Sequence, residues 1–342
     1  MTRLVLSLAA ILSIVSALPA RAQQQQRLQE DRSEIIRDYN AVISNLEIVY
    51  EFDIVKDSIR VKQHFSKEME LLTDYTKLFA EDGIYFDSFT TVEDLEAYTV
   101  VPVNRGTEKV PVTIFNESND PGGGIFYDDS KRLNFVYPSL NKGARTVLRY
   151  TLVQHNPRFL NRLTFQSYLP VMNAKVTVKA HKDIDLEFRF FNCEKGFLEY
   201  NSYSKGQYNY HVWQTHDVLP YKYLDSNNYS ILYDSPHAAV SIKEVKLRDT
   251  TLKYYSAVED LYKFYYSYLP SDDGKISPEL AALVGNITEN RAGNDIVRAI
   301  YYWVQDNIKY VAYSDGVMGF KPATAEEVFS RRFGDCKGKT SL

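Results

Sequence analysis

The sequence predicts an α+β chain, an N-terminal antiparallel β-sandwich followed by a helical segment. Three observations predict it. Tyr and Phe are abundant, 27 and 18 of 342 residues, and both favour strands. From about residue 45 to 245, apolar and polar residues alternate in short runs separated by turn residues, the pattern of half-buried strands. Near residue 250 the apolar spacing changes to that of an amphipathic helix. Hydrophobic residues make up 44% and charged residues 25% of the chain, ordinary for a globular protein with a sizeable core. A chain of 342 residues leaves room for about two domains.

Residues 1–22 read as a secretory signal peptide. Arg3 is a short basic start, residues 4–18 are almost wholly apolar, and Ala20-Arg21-Ala22 is an A-x-A cleavage pattern. The apolar run is short for a transmembrane helix, and no other stretch is long enough. The mature chain is therefore expected to be exported, periplasmic or extracellular, with no transmembrane segment. Residues 23–40 are polar and predict a frayed or short helical lead.

Strands come next. "NLEIVYEFDIV" and "DSIRVKQHFSKEMELL" pair through a turn at Asp57-Ser58, and "DLEAYTVVPV" adds another. "NESNDPGGG", residues 116–124, is turn chemistry; its carboxylates lack the regular spacing of a calcium loop. In "NAKVTVKAHK", Val176, Val178 and Ala180 alternate with Lys175, Thr177 and Lys179. In "DIDLEFRFF", Ile184, Leu186, Phe188 and Phe190 alternate with Asp185, Glu187 and Arg189. "ARTVLRYTLV", "GFLEYNSY" and "AAVSIKEVKL" read likewise. The β-sandwich is expected over residues 23–245.

Residues 246–342 predict helices. "LKYYSAVEDLYKFYYSYL" sets Leu252, Tyr255, Val258, Leu261, Tyr262 and Tyr265 at helical spacing. "SPELAALVGNI" predicts a second helix, with Ser277 as N-cap and Pro278 in the first position. In the third, Ile296, Ala299, Ile300, Trp303, Val304 and Ile308 form one stripe, with Asn294 as N-cap. Thr324 and Glu327 form a capping-box pattern. Gly334 is expected to end that helix in the left-handed cap. Asp335 would cap a last helix holding Cys336 in its first turn, where free N–H groups favour negative charge on sulfur or on an oxyanion. Lys337 and Lys339 read as solvated surface.

Several function classes are excluded. The net charge of −4 shows no basic excess, so no nucleic-acid partner is expected. "GDCKGKT" is not a phosphate loop. Only Asp335, Cys336 and Lys337 separate Gly334 from Gly338, and counting back four puts Phe333 where a Gly is required. No nucleotide, cofactor or metal is read from the sequence. Two cysteines, Cys193 and Cys336, make no disulfide framework, and Cys193 reads as a core or edge thiol. Glycosylation sequons stand at Asn116, Asn228 and Asn286. The oligomeric state is not legible.

The residues around Cys336 resemble a known family. "WVQDNIKY", residues 303–310, followed by "GFKPATAEEVFSRRFGDC", residues 319–336, is similar to the start of a bacterial transglutaminase-like core of the papain-type cysteine fold. "GARTVLRYTLVQHNPRFL", "FQSYLPV" and "HVWQTHDVLPY" resemble the uncharacterised β domain that often precedes this core in bacterial envelope proteins. The resemblance implies that residues 246–342 are a helical linker and the incomplete, helical first part of such a core, with Cys336 as nucleophile. It implies Cys-dependent acyl transfer or amide hydrolysis on a protein or envelope peptide, performed by a full-length form. A Gln side chain, a peptide bond and an envelope peptide all remain open as substrates.

The family's His and Asp follow the Cys. The six histidines, His64, His155, His181, His211, His216 and His237, all precede it. The given chain is therefore expected to be an inactive fragment, with residues 334–342 loosely placed. The alternative function is a non-catalytic envelope binding module that uses the aromatic-rich β-sandwich, Trp213 and the tyrosines of "NSYSKGQYNYHVW" first.

Overall fold

The computed structural model describes residues 34–119, 129–221, 231–270, 276–313 and 316–342. The expected signal peptide, residues 120–124 of the Gly-rich turn and the Asn228 sequon lie outside the described residues.

The fold begins with β1 (Ala41–Val55), where Leu46, Ile48, Tyr50 and Phe52 turn inward and Glu47 and Glu51 stay outward. It returns as β2 (Ser58–Leu71) through Lys56 and Asp57, at φ 50° and 57°. Two positive-φ residues give the turn whose twist suits a tight hairpin. The turn thus sits one residue earlier than the sequence predicts, and Val55 faces Ser58. The chain continues through β3 (Glu81–Phe86), β4 (Thr90–Pro102), β5 (Thr107–Pro111), β6 (Phe115–Asn119), β7 (Lys131–Val136), β8 (Arg145–Gln154) and β9 (Leu163–Thr164). Then come β10 (Val171–His181), β11 (Ile184–Phe191), β12 (Glu199–Lys205), β13 (Tyr208–Val218), β14 (His237–Lys246) and β15 (Thr251–Lys253).

Eight of these strands form one sheet in the order β12-β13-β10-β1-β2-β8-β4-β5. One face of it is dry. Over β1, β2, β10 and β13 that face packs against β11 and β14 of a second sheet, through Phe52, Val61, Val176, Val178, Trp213, Ile242 and Val245. Over β4 and β8 it packs against the three-stranded sheet β3-β7-β6, through Ala97, Leu148, Leu152, Ile84 and Phe135. The other face of the large sheet carries cross-strand ion pairs: Glu47 with Lys175 (2.8 Å), Glu51 with Lys179 (3.1 Å) and Lys62 with Glu93 (3.0 Å).

This architecture corrects the expected fold class, an antiparallel sandwich followed by a helical core. The large sheet is mixed, because β1 and β10 run parallel. Helices come late and make no core. Val258–Tyr266, Pro278–Thr288, Asn294–Asn307, Gly316–Phe320, Ala325–Arg331 and Cys336–Ser341 bury only Leu280, Gly316, Val328 and Gly338 among the described residues. The apolar stripe of the Val258–Tyr266 helix is open, with Val258 79%, Leu261 50% and Tyr262 67% exposed. That of the Asn294–Asn307 helix is partly covered: Ile296, Ala299, Ile300, Trp303 and Val304 are half-buried and Ile308 is buried. The run from Leu252 begins as strand β15, and its helix starts only at Val258. Ser277 caps its helix as expected, its hydroxyl accepting the Leu280 N–H (3.2 Å). The Asn294 helix is preceded by Gly293 at φ 56°, so Asn294 is its first residue and not its cap.

The two parts of the chain should respond differently to truncation. Phe52→Ala, at a site with no exposure, should cost roughly 3–5 kcal/mol of stability. Val297→Ala should cost less than about 0.5 kcal/mol. Urea denaturation of the two variants checks this, and equal losses would contradict the burial difference.

Candidate functional site

The Cys336 segment is built around one buried side chain. Two short strands, β16 (Lys309–Tyr310) and β17 (Phe333–Gly334), lie parallel. Lys309 N–H donates to the Arg332 carbonyl (2.9 Å) and Val311 N–H to the Gly334 carbonyl (3.2 Å). The Ala325–Arg331 helix precedes β17 and carries Val328, which has no exposure. A Cβ on Gly334 would stand 3.2 Å from both Val328 methyls, and one on Gly338 would stand 3.0 Å from a Val328 methyl and 3.4 Å from Ala323 Cβ. Both glycines flanking Asp335-Cys336-Lys337 are there for close approach. Gly334 is therefore not the left-handed cap. That position is Arg332, at φ 62°.

The capping box stands as read. Thr324 Oγ1 accepts the Glu327 N–H (3.2 Å), and Glu327 Oε2 accepts the Thr324 N–H (2.9 Å). That backbone hydrogen bond from Thr324 is the main reason the Glu327 carboxyl sits below the usual glutamate range.

Asp335 caps the Cys336–Ser341 helix. It is 3% exposed, and its Oδ1 accepts the Gly338 N–H (2.8 Å). Lys337 pairs with its other oxygen. Lys339 reaches back to the Ile308 carbonyl (3.0 Å), beyond the end of the Asn294–Asn307 helix. The two lysines expected to be plain solvated surface thus hold the turn, and residues 334–342 run from β17 into the braced Cys336–Ser341 helix where loose placement was expected. Cys336 is the first residue of that helix, and it is exposed.

Two further groups of contacts position the segment. Phe320 meets Phe159 (centroids 4.6 Å), Phe89 (6.2 Å) and Tyr268 (6.4 Å), while Val317 N–H donates to Ser88 Oγ (3.1 Å). These fasten the Gly316–Phe320 helix to the β part. The Arg332 guanidinium lies over Phe329 (4.5 Å) and Trp303 (5.4 Å), cation–π distances. Sequence reading missed Arg332. Its signal was the Arg-Arg pair before the Gly, which does not say which residue turns left-handed.

None of the six histidines stands on an element of this segment. His64, His181, His211, His216 and His237 lie on β2, β10, β13 and β14, and His155 follows β8. Among the described residues, no group of three or more His, Cys, Asp or Glu is arranged to hold a metal. Trp213 is 5% exposed, packed under Tyr200 (5.3 Å) and against Phe188 (4.9 Å). Cys193 is half-buried, its thiol near the carbonyls of Phe191 (3.4 Å) and His237 (3.9 Å). Burial pushes that thiol's pKa up. A cavity of about 460 Å³ opens on the β3-β7-β6 sheet, lined in part by Glu81, Asp82, Arg132 and Asn134, and no residue of the Cys336 segment lines it.

Residues 57–222 match a family described as a domain of unknown function with a solved structure, DUF3857. The match runs from β2 through β13. In three dimensions the chain is similar to a candidate protease from Parabacteroides distasonis ATCC 8503, at TM-score 0.63 and 15% identity. The alignment covers 88% of this chain and 57% of that one, so this chain spans little more than half its length. The likeness is one of fold. An M1 zinc metallopeptidase from Deinococcus radiodurans aligns over 73% of this chain and 53% of its own, at 9% identity and TM-score 0.31. No curated protein matches the chain. No helix among the described residues is long and apolar enough to cross a membrane.

Two measurements check the site. At neutral pH, iodoacetamide should label exposed Cys336 roughly tenfold faster than half-buried Cys193, as read by peptide mass spectrometry; equal rates would contradict this. The capping box should loosen in acid. A depressed carboxyl contributes its stability above the ordinary glutamate pKa and loses it as pH falls through the lower folded value. The Thr324 amide proton, followed by NMR, should titrate with a midpoint below the usual glutamate range, and Glu327→Gln should remove the transition.

Proposed function

We propose that Cys336 is the nucleophile of a transglutaminase-like protein that performs acyl transfer or amide hydrolysis on a protein or peptide. The thiolate attacks an amide carbonyl, the amine leaves with a proton, and a thioester forms on sulfur. Water or an acceptor amine then releases the acyl group. The observation that carries this reading is the placement of Cys336. Its side chain is exposed at the start of a helix whose cap, Asp335, is buried and bonded to Gly338 and Lys337. A nucleophile needs such a fixed backbone with an open side chain.

The reaction also needs a base within hydrogen-bond reach of sulfur and a third group to hold it. The resemblance supplies both from polypeptide following the Cys. The proposal therefore assigns the activity to a longer protein, with a His and an Asp beyond residue 342. The similarity to a candidate protease of which this chain spans 57% supports that reading, and supports a peptide as substrate. The apolar run and A-x-A pattern of residues 1–22 support an exported protein.

In a polypeptide that carries the added His and Asp, Cys336→Ala should reduce turnover of a Gln-donor or peptide substrate to background while leaving the fold intact by circular dichroism. Full activity in that variant would overturn the assignment. Residues 23–342 alone should show no turnover. If they do, and Cys336→Ala abolishes it, the base lies among the six upstream histidines and the requirement for a longer polypeptide falls.

A further inference from the structure

The edge of the large sheet at β12 differs from the rest of it. All seven residues of Glu199–Lys205 are exposed, and among the described residues the strand pairs only with β13. The usual defences of an edge strand are proline, a bulge or a charge in mid-strand. The strand has none of these: its register with β13 runs unbroken from Glu199 to Lys205, and its charges stand only at the two ends. The opposite edge, β5, is shorter and ends in Pro111.

The large side chains of β12 do not block an approaching strand. Tyr203 lies flat on Tyr210 of its own sheet (4.7 Å, 6°). Tyr200 lies on Trp213 (5.3 Å), with its hydroxyl 2.8 Å from His211 Nδ1. Both rings fold back over β13, and the outermost backbone is left to Asn201, Ser202 and Ser204.

Charge indicates the occupant. On the polar face of the sheet, Glu47, Glu51 and Glu93 each meet a lysine across a strand boundary. Glu199 and Lys205 belong to that same face, through their alignment with Gln214 and Tyr208, yet neither takes part in an ion pair among the described residues. An antiparallel strand centred on Ser202 must bring a base opposite Glu199 and an acid opposite Lys205. A second β12 does so. Its twofold register sets Glu199 against Lys205 of the other copy, twice per pair, Tyr200 against Ser204, and Ser202 against itself. We infer that β12 is a self-association edge, at which two copies of this chain join their large sheets through a twofold axis at Ser202. The inference is independent of the proposed chemistry at Cys336. Seven residues make a seam roughly 20–24 Å long, too small for an obligate interface of about 2,000 Å² or more. The dimer is therefore concentration-dependent.

Sedimentation velocity of the full chain over a wide concentration range tests it. The wild type should show a reversible monomer–dimer equilibrium. Glu199→Lys and Lys205→Glu should each weaken it, by roughly tenfold or more because two attractive pairs become repulsive. The double reversal should restore it. Directly opposed residues lie ~4.5–5.5 Å apart at Cα, within disulfide range. In a background with Cys193→Ala and Cys336→Ala, Ser202→Cys should therefore form a disulfide dimer under mild oxidation, and Ser204→Cys should not. A monomer at every concentration would overturn the inference. A dimer indifferent to both reversals would move the interface elsewhere, and binding of an unrelated extended peptide without self-association would assign the edge to another partner; either result overturns it.

Discussion

The fold depends on one strand being dry along one face. Tyr50 and Phe52 of β1 are 2% and 0% exposed, and they belong to the cluster that joins β1, β2, β10 and β13 to the second sheet. β2 pairs along one side of β1, β10 along the other, and the second sheet closes over the top. A face this dry must satisfy its polar atoms internally. The Tyr50 hydroxyl lies 2.9 Å from Gln63 Oε1 and 3.2 Å from the Asn161 carbonyl. Burial drives its pKa well above the ordinary tyrosine value, so the hydroxyl remains a donor and the pairing is not titrated away.

The Cys336 segment has no comparable core. It is braced by close approach instead. Val328 fits against two positions where a Cβ would be crowded, Gly334 and Gly338. Asp335, between them, closes the turn through Gly338 N–H and Lys337. The link back to the β part is aromatic, through Phe320 among Phe89, Phe159 and Tyr268. A small number of strong local constraints thus fix the backbone of Cys336, while the Val258–Tyr266 helix keeps its apolar stripe exposed.

What was legible in the sequence is what local chemistry decides. Alternation located the strands from Val176 to Phe190, and the Thr324–Glu327 pair located a helix start. Asp335 before Cys336 marked the last helix. What was not legible depends on partners. Alternation does not say which strand lies alongside or in which direction, so the parallel pairing of β1 and β10 was missed, and with it the mixed sheet. Helical spacing at Val258, Leu261 and Tyr262 gave a face but not what covers it. Gly334 was read as a left-handed cap because glycine serves there often. Its actual role is spatial, and it shows only once Val328 is beside it. Lys337 and Lys339 looked like solvated charges because a sequence does not show a buried carboxylate or a helix-end carbonyl within reach.

The central claim is that Cys336 carries an acyl group during turnover. Acid quenching of the longer protein during reaction with a peptide amide or ester, followed by peptide mass spectrometry, tests it most directly. The account predicts an acyl adduct on the peptide containing Cys336, removed by hydroxylamine as a thioester should be. Turnover with no adduct at Cys336, or with the acyl group on another side chain, would contradict it.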